Sequence, residues 1–476
     1  GDRLFIRGYN SESSMYVDGV RNATSQNREM FAIEQVEVTK GSASAMGGAG
    51  TSGGSINMIS KLAKKGDAFE GSVANGTDNY QRITLDGNKD FGNGIAARVA
   101  VMGHHNEKAG QDDGTEYKRA GIAPSITFGL DTPTRATLAY YYLKSDDTPD
   151  SGVPYQYDTV KKATVGKPVD VKQGVYYGWL DRDFQKQENQ SGTLKLEHDL
   201  TDNLTISNIA VYNKSKNNYL WTQPDDSQGN IVNGEVWRRL NTNLTSTDSF
   251  TDQLALTGKF NTGAFKHKFN VGAEYAKQDS DRGGNLVTDP NTSKIGGSSS
   301  NNNANNACSL TNSNGWCTDL NNPNSRDPWL GSITANPDVM NITSTTQSIY
   351  ALDNIEITPQ WLLDVGVRWD KFETEMDYKK DNGAIKAGTN YSSDNDFFNY
   401  QAGVTFKPTE NSSIYASFAT SANPVGVDAG DGSEGISVPG RNTTDEQARA
   451  INNLKPEEVK TYEIGLCTRQ ISQNPY

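Results

Sequence analysis

From about Ala68 onward, apolar and polar residues alternate one by one in runs separated by polar links. In Thr193–Leu200, Leu194, Leu196, His198 and Leu200 share one face, while Thr193, Lys195, Glu197 and Asp199 share the other. Phe269, Val271, Ala273 and Tyr275 alternate with Lys268, Asn270, Gly272 and Glu274, and Leu363, Val365, Val367 and Trp369 with Asp364, Gly366, Arg368 and Asp370. Each run predicts a strand with one apolar and one polar face. The links sort into two kinds. Short turns are expected at Gly92–Gly94, Asp131–Pro133, Thr201–Asn203, Asn261–Gly263, Thr358–Gln360 and Pro408–Asn411. Long links are expected near 104–116, 145–182, 213–245, 280–345, 376–396 and 421–456. A soluble sandwich has no reason to alternate short links with long ones, whereas a membrane barrel does, because one rim carries tight turns and the other long external loops. The pattern predicts about fourteen strands, the last near Val459–Leu466. Tyr140–Tyr142, Trp361 and Trp369 stand near strand ends, as interfacial girdles do, although in a soluble β protein the same rings would pack a core.

Residues 1–65 lack this rhythm and read as a small mixed α/β unit with strands near Leu4–Arg7, Met15–Val17, Glu34–Thr39 and Ser55–Ile59. The whole chain of 476 residues is 34% apolar, and no run approaches the roughly 18 apolar residues of a membrane-spanning helix. Its net charge of -13 argues against a general nucleic-acid partner. Cys308 and Cys317 sit close together in the low-complexity stretch 291–327, where they would form one loop disulfide or remain two thiols; Cys467 is left over. The four histidines show no metal-ligand spacing, so no metal site is expected. Residues 48–53 match GxGxxG and 50–54 match GxSxG around Ser52, but neither follows an apolar strand and opens a helix. Those glycines are expected to let a tight loop pack against a wall. Without an initiator methionine or signal peptide at Gly1, the chain reads as a fragment.

The segments IRGY at Ile6–Tyr9, YVDGVR at Tyr16–Arg21, EQVEVTKGSASAMGGAGTSGGSINMISK at Glu34–Lys61 and LKPEEVKTYEIGL at Leu454–Leu466 resemble the plug and barrel motifs of TonB-dependent outer-membrane receptors. The wording around YVDGVRN and INMISK is most similar to the ferric catecholate siderophore receptors. The resemblance implies an all-β transmembrane antiparallel barrel, here about 14 of 22 strands, with a small mixed α/β plug in the lumen. Residues 1–65 would be the C-terminal part of the plug, 66–466 a partial barrel with long extracellular loops, and 467–476 an atypical tail left by truncation or frameshift. It further implies a non-enzymatic receptor and transporter carrying a ferric siderophore across the bacterial outer membrane. Iron would travel as the chelate, with no resident cofactor. The expected partners are TonB with its inner-membrane energising complex, the ferric siderophore and outer-membrane lipid, and the expected state is a monomer. The rival readings are a passive porin and a soluble secreted β-rich binding protein or hydrolase.

By the same resemblance, plug cations matching Arg7 and Lys40 are locked to barrel glutamates, one of which matches Glu463. Period two turns Glu463 toward the lumen, opposite Tyr462 and Ile464. Substrate contact in the family comes from plug apices and outer-loop aromatics. Carried over, these are Ser11, Glu12 and Ser13; Arg21, Asn22, Gln26 and Arg28; and the rings of Tyr176, Tyr177, Trp179, Trp221 and Trp237. Guanidinium groups and aromatic faces suit a trianionic ferric tris-catecholate.

Overall fold

A computed structural model describes residues 4–111, 113–225, 229–289, 294–296, 308, 316–427 and 444–468. The first unit pairs β1 (Phe5–Ile6) with β2 (Tyr9–Asn10), then builds a four-stranded mixed sheet from β3 (Met15–Val17), β4 (Val20–Arg21), β5 (Ile33–Lys40) and β6 (Gly54–Ser60). Its strand order is β4-β3-β6-β5, parallel between β3 and β6. A one-turn helix, α1 (Ser44–Gly47), opens the glycine-rich connection from β5 to β6.

The alternating runs then form long strands. They are β7 (Ala68–Asn75), β8 (Gln81–Gly92), β9 (Ile95–Glu107), β10 (Glu116–Phe128) and β11 (Thr134–Asp147), followed by the loop hairpin β12 (Tyr155–Asp158) and β13 (Ala163–Pro168). Next come β14 (Phe184–Thr201), β15 (Leu204–Asp225), β16 (Glu235–Thr262), β17 (Phe265–Asp289) and the short β18 (Lys294–Gly296) and β19 (Cys317–Asp319). The series ends with β20 (Ser332–Thr358), β21 (Trp361–Tyr378), β22 (Asn390–Thr409), β23 (Ser412–Asn423) and β24 (Glu457–Thr468). Fourteen of these make one antiparallel sheet in chain order from β7 to β24, with β18 and β19 added alongside β17 and β16. Chain-order pairing follows from the short turns, which leave each strand next to its successor.

Burial is inverted relative to a soluble protein. Leu196 is 44% exposed, while Arg368 and Asp370 are 3% and 0% exposed. The apolar face therefore points away from the protein and the polar face into the lumen, which is the arrangement a lipid-embedded barrel requires. Phe91, Phe128, Phe260, Phe265 and Trp361 stand exposed at the rim of short turns, forming an aromatic belt. Of the rings expected in girdles, Tyr140 is exposed, but Tyr141 turns inward and stacks on Phe31 at 5.8 Å. Adjacent residues on a strand must face opposite ways, so the Tyr140–Tyr142 run could not lie on one side.

Two expected loops are largely strand. β15 runs to Asp225 and β16 resumes at Glu235, while β17 and β20 pair as far as Thr288 with Ser332. These extensions are rich in Asn, Ser and Thr on both faces, so they carry no apolar alternation, yet pairing with the neighbouring strand continues. Among the described residues no helix is long and apolar enough to cross a membrane.

Leu196→Arg is expected to cost about 2–4 kcal/mol, as for a charge near the bilayer midplane. Lys195→Ala, one residue along on the lumen face, is expected to stay within about 0.5 kcal/mol. Reversible denaturant unfolding in lipid vesicles measures both, and equal effects would contradict the assignment of faces.

Candidate functional site

The connection between β5 and β6, on both sides of α1, is stitched to β23 and β24 by short, direct bonds. Gly50 N donates to Ala422 O at 2.8 Å and Ala43 N to Ser421 Oγ at 3.2 Å. Ser421 Oγ donates in turn to Thr51 O at 3.1 Å, and Ser52 Oγ to Asn423 Oδ1 at 3.0 Å. The Ser42 and Thr461 hydroxyls meet at 2.6 Å. Residues 48–54 thus serve as a seam with the wall rather than a phosphate cradle or a nucleophile elbow. Gly48, at φ +90°, shows why glycine stands here, since a Cβ would lie 3.2 Å from the Arg368 guanidinium.

Below this seam Arg7 Nη2 lies 3.2 Å from Glu463 Oε2, and Tyr415 OH donates to Glu463 Oε1 at 2.7 Å. Lys40 stands exposed, and no ion pair joins it among the described residues. Behind the glycine loop lies a buried charge cluster that the sequence reading did not assemble. Arg368 Nε donates to Asp370 Oδ1 at 3.0 Å, and its Nη2 lies 3.7 Å from Glu274 Oε1. Gln253 Nε2 bridges the wall to the plug by donating to both Glu274 Oε2 and Gly19 O. Arg368 and Asp370 were legible as lumen-facing, but their meeting with Glu274 depends on strand register.

At the outer end of the plug, Ser11 and Glu12 are buried and Ser13 half-buried. Ser11 Oγ donates to Leu4 O at 2.7 Å, and Ser13 Oγ to Gly50 O at 2.9 Å. The Arg21 guanidinium donates to Ala49 O and stacks over Tyr16. Asn22 accepts from Gln26 Nε2 at 3.0 Å, and its carbonyl accepts from Arg28 Nη2 at 2.6 Å. The segment Asn22–Arg28 is therefore one internally bonded loop that holds Arg28 in place. Burial pulls the Arg28 guanidinium down to about 10, against the opposing influence of Tyr141 and Glu12. It remains charged at neutral pH, as a poorly solvated cation that gains from meeting an anion.

Two residues beside this loop escaped the sequence reading. Glu29 clasps two wall arginines, with Arg82 Nη2 at 2.8 Å and Arg119 Nη1 at 2.9 Å. Phe31 is a knob in a socket formed by Ala100, Met102, Ala123, Leu143 and Tyr141. Its ring lies where a Cβ on Gly121 would sit, only 2.6 Å away, so glycine there makes the socket. Neither residue carries a periodic signal, because each owes its role to the facing strand.

The outer-loop aromatics are buried in the loops themselves. Tyr176 OH donates to Pro149 O, Tyr177 OH to Leu320 O at 2.6 Å, and Trp179 Nε1 to Asp327 O at 2.6 Å. Trp237 stacks on Trp316 at 6.2 Å, while Trp221 is half-buried against Tyr219. Tyr176, Tyr177, Trp179 and Trp237 thus pack into the loops and present no open ring face. Their environment explains it: the fully buried Arg182 and Arg238 stack against Trp179, with Arg238 at 4.0 Å. Cys308 and Cys317 are disulfide-bonded beside them, with Cα atoms 5.9 Å apart. Of the low-complexity stretch, residues 291–293, 297–307 and 309–315 lie outside the described residues, as does the tail after Thr468.

Phe31→Ala is expected to weaken plug seating by about 3–5 kcal/mol, as large-to-small core changes do. Conductance in planar bilayers should then rise at a lower urea concentration than in the parent protein. Burial would raise the Glu29 carboxyl, but hydrogen bonds from Arg82 and Arg119 outweigh it and hold the group below its usual range. Its contribution is therefore full above the ordinary glutamate value of about 4.3 and is lost as pH falls through the lowered native value. The urea midpoint of plug opening should be flat from neutral pH to about 5 and fall below about 4, with Glu29→Gln removing part of that fall.

Comparison with known proteins places this geometry. Residues 124–466 match the family model for the TonB dependent receptor-like beta-barrel, and residues 1–55 match that for the TonB-dependent receptor plug domain. The chain is 63% identical over 467 residues to a probable TonB-dependent siderophore receptor, PiuA, of Acinetobacter baumannii, covering 98% of this chain and 60% of the relative. It is 30% identical over 495 residues to the catecholate siderophore receptor Fiu of Escherichia coli K12, again covering 98% and 60%. The crystal structure of PiuA superposes with a TM-score of 0.90 at 62% identity, over 98% of this chain and 64% of that one. The closed form of Fiu gives 0.82 at 28% identity, over 99% and 65%. The chain thus spans about 60% of the length of these curated relatives. With matching plug, matching barrel and a lumen-facing polar wall, it belongs to the TonB-dependent receptors of the bacterial outer membrane.

Proposed function

We propose that the protein is a receptor and gated transporter for a ferric siderophore of the catecholate type, which crosses the outer membrane when TonB, energised by its inner-membrane complex, rearranges the plug. Residues 1–65 act as the plug and 66–466 as wall and outer loops, in a receptor that works as a monomer. The observation that carries the reading is a plug seated largely by hydrogen bonds and ion pairs, such as Gly50 to Ala422 and Glu29 to Arg82. Water can replace each of these at small net cost, so the plug is held firmly yet can be moved by mechanical work. A passive porin has no use for such a stopper. The catecholate assignment draws on the relative named as a catecholate siderophore receptor and on the desolvated cation at the apex. Arg28, with Arg21, Asn22 and Gln26 shaping its loop and Ser11, Glu12 and Ser13 beneath, forms the anion-receiving floor. Trp221 is the loop ring nearest to serving as a wall contact, because it retains partial exposure.

The test is uptake of radioactive iron as a ferric tris-catecholate by cells that rely on this receptor. Uptake should fall at least about tenfold when TonB is deleted, and Arg28→Ala should weaken binding about tenfold, equivalent to about 1.4 kcal/mol. Uptake that persists without TonB would overturn the gated-transport reading, and strong binding of a ferric hydroxamate instead would overturn the catecholate one.

A further inference from the structure

The plug is attached to its wall in two different ways on its two sides. Toward β23 and β24 it is stitched through backbone groups and short hydroxyl side chains, including Gly50 N to Ala422 O, Ser421 Oγ to Thr51 O and the Ser42–Thr461 contact at 2.6 Å. Such bonds have little slack, because neither partner can swing away without moving its strand. Toward β10, β11, β14 and β15 the interface holds a cavity of about 80 Å³. Its plug side includes Arg28, Glu29 and Leu62, and its wall side the small residues Ala123, Ala139 and Thr193. The cavity therefore reaches from the apical loop to the point where the chain leaves the plug. Its upper end is closed by long flexible side chains: Glu29 on Arg82 and Arg119, and Asn27 Nδ2 on Asp147 Oδ2 at 3.2 Å. Its lower end is closed by Arg98 Nη1 donating to Leu62 O and by Ala63 N donating to Ser125 Oγ.

We infer that the bound anionic chelate travels along this cavity, between the plug and strands β10–β15, while the plug stays anchored on β23 and β24. The inference rests on the proposed transport function and adds the side on which the passage opens. The closure at the top is chemically suited to the cargo. A multiply charged anion competes with the Glu29 carboxylate for Arg82 and Arg119, so arrival of the ligand loosens the clasp it must pass. Wall residues with short side chains leave room to widen once the clasp parts. The stitched side carries the Arg7–Glu463 ion pair, but the seam above that pair runs through backbone groups and short polar side chains rather than through a clasp of paired arginines.

The experiment uses the receptor in intact cells, in a Cys467→Ser background so that introduced thiols have no competitor. Ser42→Cys with Thr461→Cys staples the anchored side; both hydroxyls occupy the position of a cysteine sulfur, so the pair can close. Ala139→Trp fills the cavity, and Thr193→Cys carrying a thiol-linked bulky group fills it reversibly should the tryptophan variant fail to fold. Binding of the ferric catecholate at the surface confirms that each variant is folded. The staple is expected to keep at least half of parental uptake, and either filling to lower uptake at least tenfold with binding unchanged, restored by reductant for the thiol adduct. Uptake lost with the staple, or retained with the filled cavity, overturns the route. Failure of the parental receptor to bind or import the chelate would instead refute the function on which the route rests.

Discussion

In hydrocarbon an unpaired peptide group costs several kcal/mol, and from this constraint the rest of the molecule follows. Strands can meet it only by pairing edge to edge, as fourteen do here in strict chain order, with β7 and β24 at the two ends of the described sheet. The sheet then has a face toward lipid and a face toward the interior, so side chains alternate between two solvents. Leucines and valines sit exposed while Arg368, Asp370 and Arg98 are buried. A soluble core is replaced by a polar interior that must be filled with something equally polar.

That filling is the plug, and its contacts have the character of the surface it meets. Each hydrogen bond across the seam exchanges with water and nets only about 0.5–1.5 kcal/mol, so many are needed and none is decisive. Phe31 in its socket is the apolar exception, holding one point of the interface by shape. Buried ionic groups such as Arg368 with Asp370 and Glu274 resist the loss of a single partner, which keeps the wall beneath the glycine loop in one arrangement.

The outer loops follow the opposite rule, because they stand in water and fold like a small soluble protein. Trp179, Trp237, Trp316 and Trp329 surround Arg182 and Arg238, with a disulfide at the margin. Aromatic residues there build the cap's own core. The rings of Tyr176, Tyr177, Trp179 and Trp237 are consumed in that core, while Arg28 is held by the carbonyl of Asn22 within the plug's own loop.

The sequence by itself determined the barrel strands, their two faces, the short turns and four of the plug's strands, since each depends on residues next to one another in the chain. Met15–Val17 is a strand just as its spelling predicts, and the fourteen barrel strands were countable from alternation alone. Alternation failed in β15 beyond Tyr212 and in β16 before Leu244, because several buried positions there are themselves polar, such as Asn213, Ser215, Asn217 and Arg238, which removes the apolar signal while pairing persists. Only the tertiary structure decided which charges meet: Glu29 with Arg82 and Arg119, Arg368 with Glu274, Arg7 but not Lys40 with Glu463. Such partners lie tens to hundreds of residues apart, and their meeting is fixed by strand register and by the seat of the plug, neither of which leaves a mark on the local order of amino acids.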